Sequence, residues 1–166
     1  VKEAEAANSM VDQGIDVLTC HVDSPKVVIE TAEKRGAYSC GYHTDQSVLA
    51  PKGFLTGAEW NWSKVYADYA AMIKDGKTIP NLVRGGLKEG VVKSSPYGAA
   101  VSAKARAQAD AAHAKFMDGS MVVYQGPIKD NQGNTVIPAG TGYNQTDIRL
   151  ESMDWLVEGV IGTTKG

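Results

Sequence analysis

Residues 41–46 read Gly-Tyr-His-Thr-Asp-Gln, and they mark the place where a short apolar run ends abruptly in polar side chains. That run, Tyr38 to Tyr42, has the length and composition of a strand. A second short run, Phe54 to Gly57, follows after a loop and leads into Trp60-Asn61-Trp62. In open α/β sheets, the loops at the carboxyl ends of the strands line the crevice that holds a ligand. The sequence therefore predicts a ligand-binding crevice beside these two strand ends.

The segments before this stretch alternate between helix and strand. Residues 2–13 have helical spacing of their apolar side chains, and residues 15–22 form a β-rich run. A helix from Pro25 to Arg35 follows, with Ser24 as its cap and Gly36 at its end. Helix, strand, helix and strand with short joins is the pattern of parallel strands linked by crossover helices. The predicted fold class is α/β, a parallel sheet with flanking helices.

Beyond residue 62, apolar spacing, glycines and turn residues predict further helices and short strands. These are, in order, a helix over 63–75, a hairpin of 82–84 with 91–93, a helix over 101–118, a strand over 121–125, and a turn at 130–134. The tail, residues 153–161, is apolar enough to pack against the rest of the chain.

The composition excludes several classes of protein. Apolar residues make up 43% of the 166-residue chain and charged residues 22%, which is ordinary for one domain or two small lobes. Lysine and arginine number 17 against 19 acidic residues, so no basic surface for nucleic acid is expected. No run approaches the ~20 apolar residues of a membrane span. The chain opens in helix-like composition without Met, and we expect it to begin partway through a larger protein.

The sequence also lacks the motifs of common catalytic sites. Neither a glycine-rich phosphate loop nor a Gly-x-Ser-x-Gly elbow occurs, and no nucleophile–base pair stands out. The histidines are too scattered to form a metal site, and His113 is expected at the surface of its helix. We therefore predict a protein that is not an enzyme and uses no cofactor and no metal.

The cysteines, Cys20 and Cys40, each lie in an apolar strand-like run, and one helix separates the two runs. Their strands could therefore be neighbours. The favoured interpretation is two buried thiols, whereas export of the protein would allow a disulfide.

Several polar and aromatic residues near the strand ends are candidates for contact with a ligand. His43 is equally well explained as a ligand contact or as a simple loop residue, and His21 is better explained by a place in the core or behind the contacting residues. Asp23 either caps the helix that follows or hydrogen-bonds a ligand. Tyr42 ends the first of the two strands.

The pair Trp60 and Trp62 surrounds Asn61, and in extended chain the two indoles face the same side. A helix begins there, so at least one indole should be buried in packing. A tryptophan at a strand end also suits stacking on a flat heterocycle, and an asparagine offers the donor and acceptor that suit a base edge. The candidate ligand-binding residues are thus His21, Asp23, Tyr42, His43, Trp60 and Asn61.

Six pieces of the sequence, in order along nearly the whole chain, resemble the basic membrane protein (BMP) family, substrate-binding lipoproteins of ABC transporters with the type I periplasmic-binding fold. The pieces are Glu-Ala-Ala (5–7), Gly-Ile-Asp-Val (14–17), Gly-Tyr-His-Thr-Asp-Gln (41–46), Phe-Leu-Thr-Gly (54–57), Val-Tyr-Gln-Gly-Pro-Ile-Lys-Asp-Asn-Gln-Gly (123–133) and Met-Asp-Trp-Leu-Val-Glu-Gly-Val (153–160).

The resemblance implies two α/β lobes with ligand held between them, of which this chain is the C-terminal half. Residues 1–59 would belong to the second lobe, residues 60–97 would return to the first lobe, and residues 98–166 would cross back and close the fold. This two-lobe architecture is incomplete, because the missing N-terminal half of the same protein would supply the opposite wall of the cleft.

The resemblance also implies a purine base or nucleoside as ligand, an ABC permease as partner, and a periplasmic or cell-surface location with a lipid anchor. The family motif Gly-Val-Asp-x-Asp-Gln usually has aspartate where this chain has His43, while Asp45 and Gln46 match it. Nucleoside-binding members commonly carry a lysine near Trp60 or Asn61, and this chain has none there. Both departures favour a free base such as adenine.

Two other functions remain open at this point. A doubly wound α/β enzyme is disfavoured, since no catalytic set can be named. A ligand-sensing domain of a regulator or receptor uses the same fold, and the fold alone does not choose between them.

Overall fold

A four-stranded sheet organises the first part of the chain in the computed structural model, which describes residues 2–165. Its order is β1 (Val17–Thr19), β2 (Tyr38–His43), β3 (Phe54–Trp60) and β4 (Val92–Ser94). β2 pairs in parallel with both β1 and β3, and β4 runs antiparallel to β3. The predicted α/β class with a mainly parallel sheet is confirmed.

Helices α1 (Lys2–Asp12) and α2 (Pro25–Arg35) pack together and cover this sheet. The buried residues of α2 recur at the spacing of one helix face, which places them against the strands. Two clusters of buried apolar side chains result: Ala7, Leu18, Val28, Ala32 and Ala37 in one, and Ile29, Ala50 and Phe54 in the other.

The C-terminal end of α2 forms the predicted cap, and the N-terminal end does not. Gly36 adopts a left-handed φ of 71° and its N–H bonds to the carbonyls of Ala32 and Glu33, so the predicted helix end is confirmed. Ser24 stands at the N-cap position, but its side chain makes no capping hydrogen bond. The carbonyl of Ser24 instead accepts from the N–H of Val27 at 3.3 Å, so the backbone satisfies this amide and the hydroxyl is not used.

The predicted hairpin of residues 82–84 with 91–93 is wrong. Residues 82–84 form no strand, and Leu82 is exposed. Residues 86–91 make a turn in which the carbonyl of Gly86 accepts from the N–H groups of Val91 and Val92. β4 then pairs with β3, because that edge strand offers a row of free backbone groups that a short isolated hairpin lacks.

The remaining elements include two long helices with little burial, α3 (Trp62–Lys74) and α4 (Ala103–Asp118). Neither helix has a buried residue, and His113 on α4 is exposed as predicted. None of the helices in residues 2–165 is both long and apolar enough to cross a membrane.

The chain divides into two compact units between Ala114 and Lys115. The second unit holds the two-stranded pairs β5 (Tyr124–Gln125) with β8 (Gly142–Tyr143) and β6 (Ile128–Lys129) with β7 (Thr135–Ile137). The predicted strand over 121–125 is thus shorter than expected.

The turn predicted at 130–134 is confirmed. Both oxygens of Asp130 accept hydrogen bonds from Asn134, one from its backbone N–H and one from its side-chain amide. The tail packs only in part: Val157 forms a bridge with Asp130, but Ile161 is fully exposed.

Candidate functional site

The carboxyl ends of β2 and β3 lie side by side, with His43 paired in register to Glu59. The chain leaves β2 into a loop and leaves β3 into α3, so the side chains at both ends emerge at one edge of the sheet. This is the edge at which the sequence predicts a crevice.

A buried side chain holds the loop after β2 in shape. Gln46 is buried, and its Oε1 accepts a hydrogen bond from the N–H of Tyr42 at 3.1 Å. Gly41 leaves room for this contact, because a Cβ there would lie 2.9 Å from the same oxygen. The carboxylate of Asp45 accepts from the N–H of Ser47 at 2.9 Å. The Asp-Gln pair therefore shapes the loop from within.

The backbone of His43 turns its ring onto the same side as Tyr42. Successive side chains of a strand normally point to opposite faces. His43 has a φ of 77°, in the left-handed region that non-glycine residues rarely adopt. Its ring centroid consequently lies 3.9 Å from that of Tyr42. Such strained backbone is frequent at ligand sites, where the surrounding structure holds it.

Trp60 fastens the two strand ends together. Its indole Nε1 donates a hydrogen bond to Nδ1 of His43 at 3.0 Å, and its ring meets that of Tyr42 edge-on with centroids 6.3 Å apart. Tyr42, His43 and Trp60 thus contact one another, although Trp60 lies 17 positions from His43 in the sequence.

The rings continue in both directions, and we call the whole set the aromatic row: His21, Tyr42, His43, Trp60, Trp62 and Tyr66. Neighbouring centroids are 4.7 Å apart for His21 and Tyr42, 5.9 Å for Trp60 and Trp62, and 6.1 Å for Trp62 and Tyr66. All of these rings belong to the first compact unit.

The row is open to solvent, which contradicts the expectation that at least one indole would be buried. Trp60 is 36% exposed, Trp62 53% and Tyr66 66%. Trp62 begins α3, a helix without buried residues, and about half of its surface stays exposed beside Trp60 and Tyr66. An exposed apolar patch of this kind marks an interaction site more often than a scattered surface residue does.

The structure brings His21, Tyr42, His43 and Trp60 together. His21 is exposed, so it is not a core residue, and its ring packs against that of Tyr42. Asp23 is exposed in the segment between β1 and α2.

Both polar ends of the Asn61 side chain are already used within the chain. Its Nδ2 donates to the carbonyl of Gly90 at 2.9 Å, and its Oδ1 accepts from the hydroxyl of Ser63 at 3.0 Å. The bond to Gly90 ties the start of α3 to the turn before β4, and the bond from Ser63 lies within the start of the helix. A ligand contact by Asn61 would use the second N–H of its amide or the second lone pair of its oxygen, or replace one of these bonds.

An ion pair between a buried carboxylate and an exposed lysine lies beside these strand ends, and the sequence does not predict it. Glu59 is buried, and its carboxylate lies 3.0 Å from the ammonium of Lys93 on β4. The available signal in the sequence was Glu59, an acidic residue just beyond a predicted strand. Its partner Lys93 could be found only by knowing that β4 lies beside β3.

The cysteines lie next to the sheet edge but are not bonded to each other. Cys40 is on β2, and Thr19, its partner in register, precedes Cys20. The strands are neighbours as expected, and both thiols are free and half-buried rather than fully buried. Burial raises the pKa of both thiols, which favours their protonated form at neutral pH.

The second unit has a cavity of its own of about 250 Å³, with Asp130, Asp154, Trp155 and Thr163 among its lining residues. None of the predicted ligand-binding residues lines it. Within residues 2–165, no cluster of three or more histidine, cysteine, aspartate or glutamate residues could hold a metal ion.

Comparison with known proteins shows the family of this chain. A family model described as ABC transporter substrate-binding protein PnrA-like, Bmp, matches residues 1–125. The chain belongs to the Bmp family. The aromatic row lies wholly within the matched residues, and the family resemblance read from the sequence is confirmed.

Among the curated relatives of this Bmp-family chain is a purine-binding protein of Brucella abortus. It is 33% identical over 159 residues, which cover 96% of this chain and 44% of the relative. A protein of Haloferax volcanii named as an ABC transporter glucose-binding protein is 24% identical, over 95% of this chain and 37% of the relative.

Solved structures show the same fold. One is a solute-binding protein of an ABC transporter system from Conexibacter woesei, with a TM-score of 0.55 at 19% identity over 72% of this chain and 41% of that one. Another is a transcriptional activator of the comK gene from Bacillus halodurans, with a TM-score of 0.65 at 21% identity over 70% and 42%. The chain spans less than half the length of these relatives, and the lobe assignment stays a prediction.

Proposed function

We propose that this chain is part of the extracytoplasmic solute-binding protein of an ABC importer and that the aromatic row is its contact surface for a purine base. The observation that carries the proposal is the geometry of Tyr42, His43 and Trp60 at two adjacent strand ends. The family membership and the name of the Brucella abortus relative support the same ligand class.

The chemistry of the row suits a flat heterocycle. Trp60 and Trp62 present apolar ring surface that a purine would cover, and stacked rings gain about 0.5–1.5 kcal/mol beyond the area that they bury. His43 adds a polar group at the edge of this surface. Small-molecule sites commonly combine a largely apolar wall with few polar groups that set orientation.

Two substitutions favour a free base such as adenine over a nucleoside. His43 stands where the family motif that the sequence resembles has an aspartate, and no lysine lies next to Trp60 or Asn61. A carboxylate and an ammonium are the groups that would bond the hydroxyls of a ribose. Without them, the base itself has to supply most of the binding free energy.

The rest of the proposal follows from the role of such proteins. The ligand would be held between two lobes and delivered to a membrane permease without a chemical step, and an N-terminal half of the same protein would form the other wall. The protein would be lipid-anchored in the periplasm or at the cell surface. Recovery of the protein in the cytosolic fraction, without incorporated lipid label, would favour a sensing domain instead.

The test is to purify the complete gene product, identify any small molecule released on denaturation, and titrate the stripped protein by calorimetry with adenine, adenosine and glucose. We expect adenine to bind most tightly. Trp60→Ala should weaken adenine at least tenfold, whereas Tyr38→Ala, an exposed aromatic at the opposite end of β2, should not. Tighter adenosine binding would overturn the free-base assignment, and binding of glucose alone would overturn the purine assignment.

A further inference from the structure

The Trp60–His43 hydrogen bond determines where the proton of the imidazole lies. An indole Nε1–H is a donor only, so its partner must be an acceptor. Nδ1 of His43 lies 3.0 Å from it and is therefore unprotonated. In a neutral imidazole one nitrogen accepts and the other carries the proton. Neutral His43 consequently holds its proton on Nε2.

The ring has little freedom to present any other atom. Its backbone is held at a φ of 77°, one ring face packs against Tyr42 at 3.9 Å, and Nδ1 is bound by Trp60. Among residues 2–165, no protein group accepts a hydrogen bond from Nε2. His43 is only partly covered, so this N–H is available to a molecule on the aromatic row.

We propose that the Nε2–H of His43 donates a hydrogen bond to the ligand and so selects purines that present a ring-nitrogen acceptor at that place. The proposal rests on the purine-binding function proposed above. A site that hydrogen-bonds its ligand rejects an analogue lacking the matching atom, because the buried donor is then left unpaired. Trp60 would act here as a positioning residue, because its hydrogen bond to Nδ1 fixes the tautomer of His43. It would also stack on the base.

The test pairs ligand atoms with His43. Calorimetry would measure adenine and its 1-deaza, 3-deaza and 7-deaza analogues, each of which replaces one ring nitrogen with C–H. We expect one analogue to bind the wild-type protein about tenfold more weakly than the others do. His43→Asn keeps an acceptor near the Nδ1 position but has no donor at Nε2, so it should bind adenine and that analogue equally. His43→Gln keeps an amide donor at the Nε2 distance and should retain part of the discrimination.

A second readout does not depend on any ligand. Nitrogen-15 NMR of the wild-type protein should show an unprotonated Nδ1 and a protonated Nε2 for His43, and Trp60→Phe should give a mixture of the two tautomers. The opposite tautomer would overturn the proposal. Equal losses of affinity for all three deaza analogues, in both the wild-type protein and His43→Asn, would also overturn it. If adenine and its analogues fail to bind at all, the purine function is wrong and the selection of ring nitrogens is wrong with it, whatever the tautomer.

Discussion

Trp60 Nε1 donates to His43 Nδ1 across 3.0 Å, and this bond joins the carboxyl ends of two parallel strands. It connects one residue that leaves β3 with one that leaves β2 in a left-handed conformation. The two side chains thereby hold each other at the edge of the sheet, where a ligand would meet them. The contact depends on the loop after β2 keeping its shape.

Gln46→Ala should loosen that loop. The substitution removes the acceptor for the N–H of Tyr42 and leaves a void in a buried place. We expect a loss of about 1–3 kcal/mol in the free energy of unfolding, measured by urea denaturation. Adenine affinity should fall as well, because Tyr42 and His43 lose their support. Gln108→Ala, on the exposed surface of α4, is the control and should change neither quantity. An unchanged unfolding free energy for Gln46→Ala would show that the loop does not need this contact.

Gly98→Ala should be severely destabilising. A Cβ at this position would lie 1.7 Å from the carbonyl oxygen of Phe54, which is backbone in β3 and cannot move aside like a flexible side chain. We expect a loss of about 3 kcal/mol or more, seen as a large drop in the thermal midpoint. The exposed neighbour Ala99 offers a matched comparison, since Ala99→Ser should leave the midpoint nearly unchanged. Equal midpoints for both variants would contradict the close approach.

Ser39→Ala and Thr56→Val should change stability in opposite directions. Ser39 is fully buried, and its hydroxyl has no hydrogen-bond partner in residues 2–165, so its removal should stabilise the protein by about 1 kcal/mol. Thr56 Oγ1 donates to the carbonyl of Ser95 at 2.9 Å, and loss of this bond should cost about 1 kcal/mol. Urea denaturation of the two variants side by side measures the contrast. Destabilisation by Ser39→Ala would mean that its hydroxyl has a partner in solution.

Asp147 should titrate at an unusually low pH. The side chain of Arg149 donates two hydrogen bonds to its carboxylate, and with the backbone N–H of Arg149 they lower the pKa of Asp147 to about 2. Because this folded-state pKa lies below the unfolded value, the stabilising effect is present above the unfolded pKa and is lost as the pH falls toward 2. Carbon-13 NMR titration measures the pKa directly, and Arg149→Gln should raise it toward the ordinary range. A normal pKa in the wild-type protein would contradict the pairing.

Local features were predictable because neighbouring residues determine them. Gly36 ends α2 in a left-handed conformation, the polar residues 130–134 form a turn, and the strand at 38–42 lies between parallel neighbours, all as the sequence indicates. Each of these depends on glycine, on turn residues or on the spacing of apolar side chains within a short segment.

Contacts between distant segments were not predictable in this way. The pairing of β4 with β3 replaced the expected hairpin, since the free edge of β3 lies more than thirty positions away from β4 in sequence and no local pattern encodes it. The exposure of Trp60 and Trp62 likewise depends on what surrounds α3, whereas the residue types alone favoured burial.

The sequence by itself therefore determined the α/β class, the family and four of the aromatic side chains that lie together near the strand ends: His21, Tyr42, His43 and Trp60. Only the tertiary structure decided that His43 turns toward Tyr42, that Trp60 bonds its Nδ1, and that Asn61 is committed to Gly90 and Ser63. The physical reason is that periodicity and composition act within one segment, whereas a hydrogen bond between two side chains requires the distances and angles that only packed strands set.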